Sequence, residues 1–223
     1  MKVRFAISLV ALCVLAFTAS GCSLGDSPSG EPDQIHRNAQ TASPAEPGED
    51  VASEEDGTLH ISPVQVTGTE TVVIETSKGT IKLDLYPTDA PNTVASFIEL
   101  ADAGFYNGLK FHRVVPNFVI QGGDPLTGPL TSEDVAAGAG GVGTGGPGWT
   151  QKAEFNSRKH ETGTLAMARS QHPDSAGSQF YICLAPQPSL DGQYTVFGQV
   201  TDGMEVVQSI QAGDVIESIT ILR

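Results

Sequence analysis

Residues 111–125 read FHRVVPNFVIQGGDP, and their reading decides the fold. Residues 111–115 and 118–122 are expected to form two adjacent strands. Side chains alternate between faces, so Arg113 lies on one face while Val119 and Gln121 share a face on the neighbouring strand. Phe118 is placed to close the edge of that surface. A second run, SAGSQFYICL, starts at Ser175 and repeats the arrangement, with Gln179 and Tyr181 pointing one way and Phe180 and Ile182 the other. Amides, aromatics and a guanidinium are thus set into otherwise apolar strands, where polar groups usually have a job.

Outward from this stretch the chain remains β-rich. TVVIET and TIKLDLY, from Thr71, are short strands joined through Ser77, Lys78 and Gly79, a hairpin signal. Asp89 is expected to cap a helix with Pro91 in its first turn. Val94, Phe97, Ile98 and Ala101 form its apolar stripe, and Gly104 its stop. A second short helix is expected from Asp202, with Glu205 three residues on, packing Val206, Val207 and Ile210 before Gly213. VIESITIL closes the chain as a strand.

Composition fits this picture and excludes several functions. A chain of 223 residues with 39% hydrophobic content, 25 glycines and 14 prolines suits one compact, loop-rich β domain plus extensions. A formal charge of -14 disfavours nucleic acid, or an anionic membrane surface, as a partner for a basic patch. Cys13, Cys22 and Cys183 form no disulfide framework, and the five histidines have no metal-ligand spacing, so no metal is expected. GAGGVGTGGPG, 138–148, contains G-x-G-x-x-G twice, but Pro147, Gly148 and Trp149 follow where a dinucleotide loop needs a helix. A flexible loop is the better reading. No G-x-S-x-G elbow marks a serine hydrolase.

The N-terminal region has a different character. Lys2 and Arg4 precede an apolar run from Phe5 to Phe17, too short to span a bilayer and ending in small residues, which reads as a signal peptide over 1–21. ASGC, 19–22, resembles a bacterial lipobox, although Ala19 stands where leucine is usual. That resemblance implies a lipidated Cys22, with Ser23 pointing to the outer membrane or cell surface. Residues 22–68 are then expected to form a disordered acidic tether, being rich in Ser, Pro, Gly, Glu and Asp. About 45 such residues reach roughly 35 to 40 Å. Its end, residues 58–66 (TLHISPVQV), is more strand-like and is expected to pack on the edge of a domain spanning 69–223.

Four ordered blocks, FHRVVPNFVIQGGDP, GTGGPGW (143–149), GTLAMARSQHPDSAGSQFYI (163–182) and LDGQYTVFGQV (190–200), resemble the cyclophilin family of peptidyl-prolyl cis-trans isomerases. The resemblance implies a mainly β fold, a closed eight-stranded antiparallel barrel with a helix covering each open end. It also implies rotation of X-Pro bonds in exported proteins, without a cofactor, by a monomer. Arg113, Gln121 and Phe118 become the catalytic candidates. Val119, Gly143, Thr144, Ala168, Arg169, Gln179, Tyr181, Leu190 and Tyr194 become the substrate-binding candidates, with Gln121 also expected to orient Arg113. The alternative is a proline-peptide-binding module or holdase, which could dispense with the arginine. Val119, Arg169 and Tyr194 depart from the common methionine, asparagine and histidine. The 126–142 segment is longer than usual, and Ser189 replaces a frequent tryptophan, which implies weak cyclosporin binding.

Overall fold

The computed structural model describes residues 59–68 and 70–223. The expected signal peptide, Cys22 and most of the expected tether lie outside the described residues. Eight strands form one antiparallel sheet: β1 Thr71–Thr76, β2 Gly79–Leu85, β3 Arg113–Val115, β4 Val119–Gly122, β5 Thr164–Met167, β6 Phe180–Cys183, β7 Val196–Asp202 and β8 Ile216–Leu222. Their spatial order is β3-β4-β6-β5-β7-β2-β1-β8. Register shifts at Glu75/Thr76, Lys82/Leu83 and Leu165/Ala166 add twist and curl the sheet.

The sheet does not close, contrary to the expected barrel. β3 and β8 end the order unpaired with each other, and the isolated bridge Lys110↔Val215 approaches across the gap. The reason lies in the residues before β3. Phe111 donates its N–H to the Asp214 carbonyl and Ile216 donates to Leu109, so residues 109–111 meet β8 before the ladder of β3 begins. The fully buried Phe111 ring fills the seam; a Cβ added at Gly122 would meet both Phe111 and Ile216.

Among the described residues three α-helices accompany the sheet where two were expected. α1, Pro91–Asp102, buries Val94, Phe97, Ile98 and Ala101 as its sequence stripe requires. Asp89 does not cap it. Its carboxylate accepts from Arg158 Nε at 2.7 Å, and the free N–H groups of Asn92 and Thr93 donate instead to Glu154, at 3.0 and 2.8 Å. A carboxylate at a helix N-terminus satisfies orphan donors and opposes the dipole equally well from a remote loop. α2, Ser132–Ala136, lies within the 126–142 segment read as longer than usual and starts on a Thr131–Asp134 capping box. α3, Met204–Ser209, starts after Gly203 in the left-handed conformation, without a side-chain cap, because Asp202 instead pairs with Lys82 at 3.0 Å.

Two apolar clusters occupy the two faces of the sheet. The larger joins Val72, Ile74, Leu83, Ile120, Leu165 and Ile182 to α1, with Phe97 5.3 Å from both Tyr106 and Phe197 between ring centroids. The smaller holds Val119, Ala166, Tyr181, Cys183 and Val196, and Phe118, Leu190 and Tyr194 pack against it. The segment before β1 lies on the domain without joining the sheet. His60 stacks on Trp149 at 3.8 Å, Asn92 Nδ2 donates to the His60 carbonyl, and Val64 and Val66 pack on the core.

Candidate active site

The pairing register assembles the site. Arg113 faces Gln121, Gln121 faces Tyr181, Tyr181 faces Ala166, and Ala166 faces Val196, a row across five strands. Directly paired residues share a face. The neighbouring row, Val114, Ile120, Ile182 and Leu165, turns the other way into the main core. Strand alternation therefore leaves the guanidinium, amide and tyrosine together on the outer apolar cluster.

A hollow of about 250 Å3 opens over this row, lined by Arg113, Phe118, Val119, Gln121, Ala168, Arg169, Tyr181, Leu190 and Tyr194. A second hollow, of about 370 Å3, is lined by Gly143, Thr144, Gln179, Trp149 and neighbouring loop residues. Both share Gln121, Ala168 and Arg169, so the two hollows are contiguous. All twelve candidate residues in the domain thus border one continuous groove.

Arg113 is exposed, with its guanidinium carbon 5.4 Å from the Phe118 ring centroid. Among the described residues it has no hydrogen-bond or ion-pair partner, so its donor fork is free for a ligand. Gln121 does not orient it. Gln121 Nε2 donates to Gln179 Oε1 at 2.9 Å, and Gln179 Nε2 donates to the Gly145 carbonyl at 2.8 Å. This amide chain fixes the glycine-rich wall instead. Burial lowers the pKa of neighbouring His112, whose two ring nitrogens are buried without protein partners.

Two residues that sequence reasoning missed hold the floor. His160 is 1% exposed. Its Nδ1 lies 3.1 Å from Asp191 Oδ1, its Nε2 lies 2.9 Å from Tyr181 Oη, and its carbonyl accepts from Gln187 N at 2.7 Å. With Nδ1–H directed at the carboxylate, Nε2 accepts the Tyr181 O–H. The hydroxyl is thereby drawn away from the groove, and Tyr181 presents its ring as an apolar wall. Asp191 follows Leu190 directly, so the same histidine sets both walls of the smaller hollow. His160→Leu strands the buried hydroxyl and is expected to cost about 1 to 3 kcal/mol, read as a lower urea midpoint.

The Asp191 carboxyl is held down to about 2, first by the His160 backbone N–H and then by the His160 and Lys159 side chains. A carboxyl depressed in the folded state contributes stability above its unfolded pKa, near 4, and loses it as pH falls through the folded value. The unfolding midpoint is therefore expected to drop between about pH 4 and 2, and Asp191→Asn to flatten that part of the profile. An unchanged profile would show that this carboxyl plays no part. Burial also pushes the Cys183 thiol up to about 12, so this cysteine is inert packing at neutral pH.

A curled antiparallel sheet carries, on its outer face, a guanidinium beside an apolar hollow. The family model described as cyclophilin type peptidyl-prolyl cis-trans isomerase/CLD matches residues 71–223, and the chain belongs to that family. It is 47% identical over 152 residues to a peptidyl-prolyl cis-trans isomerase of Synechococcus elongatus, covering 67% of this chain and 94% of that protein. It is 47% identical over 143 residues to peptidyl-prolyl cis-trans isomerase B of Bacillus subtilis, covering 63% and 90%. A solved Cryptosporidium parvum cyclophilin-type isomerase, crystallised in the presence of the dipeptide Ala-Pro, superposes with a TM-score of 0.59 at 29% identity, covering 69% and 99%.

Proposed function

We propose that this enzyme accelerates rotation about X-Pro bonds in exported proteins by non-covalent stabilisation of the twisted transition state. Amide resonance sets a barrier of about 18 to 20 kcal/mol. In the twisted state that resonance is lost, the prolyl nitrogen becomes pyramidal, and its lone pair accepts a hydrogen bond. Arg113 donates it. A guanidinium donates from a fixed planar fork, so no proton transfer is needed. The 250 Å3 hollow is smaller than the roughly 300 to 1,000 Å3 of drug-sized sites and suits one ring with its flanking backbone. Phe118, Val119, Tyr181 and Leu190 hold that ring. Gln179, Gly143, Thr144 and the Ala168–Arg169 backbone take the adjoining peptide, and the chemistry uses no metal or cofactor.

The observation that carries this reading is the unpaired Arg113 guanidinium on the rim of an apolar hollow, since a mere binding surface has no use for an uncommitted donor there. The names of the relatives support the same activity. Exchange of an Ala-Pro peptide followed by NMR tests it: catalysis should shorten the tens to hundreds of seconds of the free peptide. Binding without acceleration would leave the binding-module or holdase reading.

Export and anchoring rest on residues 1–22. A lipidated Cys22 anchors the mature chain to a bacterial membrane, as a monomer whose acidic tether holds the domain off the bilayer. Cys22→Ser is expected to abolish incorporation of labelled palmitate and release the protein from the membrane fraction. Retained label would overturn it.

A further inference from the structure

The charge lining the groove opposes the charge of the chain. With 26 acidic and 12 basic residues the protein is strongly anionic, yet the only charged side chains lining the two hollows are Arg113 and Arg169. No carboxylate of the described residues lies within ion-pair distance of either. Arg169 stands at the junction, lining both hollows. It is also immobilised. Its Nε and Nη2 donate to the Gln193 carbonyl at 3.1 and 3.0 Å, and Nη1 donates to the Ser170 and Gln171 carbonyls at 2.9 and 3.1 Å. The guanidinium carbon lies 4.6 Å from the Tyr194 ring centroid and 5.7 Å from that of Phe155. Carbonyls and rings fix the group without neutralising it. A fixed positive charge discriminates between ligand charges without losing side-chain freedom when they bind.

We propose that the groove selects X-Pro segments carrying a carboxylate beside the proline, with Arg169 as the discriminating charge. This rests on the isomerase reading and adds the class of substrate to it. Arg113 is engaged at the prolyl nitrogen during rotation, which leaves Arg169 to read the flanking residue. A lysine in that place meets an uncompensated like charge.

The test uses end-blocked peptides Ala-Xaa-Pro-Phe and Ala-Ala-Pro-Xaa, with Xaa glutamate, glutamine or lysine, and kcat/KM measured by NMR exchange. In at least one series glutamate is expected to exceed lysine by about tenfold at low ionic strength, with glutamine between. At about 0.5 M salt, where the screening length falls to a few ångströms, that spread is expected to shrink to about twofold. Arg169→Gln should flatten it at low salt, and Arg169→Lys should keep part of it. Equal rates for all three residues in both series, or a spread that survives in Arg169→Gln, would overturn the selection and leave the isomerase standing. Failure to accelerate any peptide would remove the isomerase reading, and the inference with it.

Discussion

Arg113→Ala is expected to lower kcat/KM for an Ala-Pro peptide by about 10^2 to 10^3, the scale of one preorganised donor acting on a transition state. Peptide affinity should fall much less, because the ground-state proline nitrogen is resonance-delocalised and offers no lone pair. The structure sharpens this expectation in two ways. Among the described residues Arg113 has no hydrogen-bond or ion-pair partner to lose, only the face of the Phe118 ring, so its removal leaves no buried charge uncompensated and the fold should be untouched. Phe118 keeps its place in the outer apolar cluster, so the hollow survives the substitution. Arg113→Lys should recover only part of the rate, since an ammonium lacks the planar fork. On the proposed mechanism one donor would account for only part of the acceleration: a 10^5-fold effect needs about 7 kcal/mol, and the remainder would fall to the fixed walls set by His160 and the glycine-rich loop. Unchanged exchange in Arg113→Ala, with peptide still bound, would overturn the role given to Arg113 at the prolyl nitrogen.

What the sequence disclosed follows the range of the interactions involved. Alternation within β4 and β6 placed Gln121, Tyr181 and Val119 on one face, and the period of α1 placed Val94, Phe97 and Ile98 on another, because both patterns are local. The cap of α1 was not legible. Its carboxylate, Glu154, is 62 residues from Asn92, while nearby Asp89 is taken by Arg158. Closure was misjudged for a similar reason: whether β3 meets β8 depends on how residues 109–111 and the Phe111 ring fill the seam, a tertiary matter that strand propensity does not register. The Asp191–His160–Tyr181 connection spans separations of 31 and 21 residues, with no motif spacing to betray it. By contrast the α2 capping box, Thr131 to Asp134, was readable in principle and was obscured by the glycines around it.

Asp124→Ala is expected to be the most damaging single change to fold and groove together. The residue ends the stretch QGGD and is fully buried. Its Oδ1 accepts from Leu126 N at 2.8 Å, while Oδ2 accepts from Gly143 N and from Gly145 N at 3.3 Å. One carboxylate therefore ties β4 to the loop that walls the larger hollow. The loop approaches so closely that a Cβ at Gly145 would collide with the carboxylate, which makes this glycine obligatory here rather than merely flexible. Hydrogen bonds to a charged acceptor are worth about 1.5 to 3 kcal/mol each, and coupled bonds do not simply add. Losing all three should cost about 3 to 5 kcal/mol, read from urea unfolding. Asp124→Asn keeps one carbonyl acceptor and should cost less. The functional loss should depend on substrate length. Releasing Gly145 also frees the Gln179–Gln121 amide chain, so a longer peptide reaching the larger hollow should lose more kcat/KM than a dipeptide held only at the proline hollow. Equal losses on both substrates would show that the glycine-rich wall contacts no peptide, and that Asp124 serves stability alone.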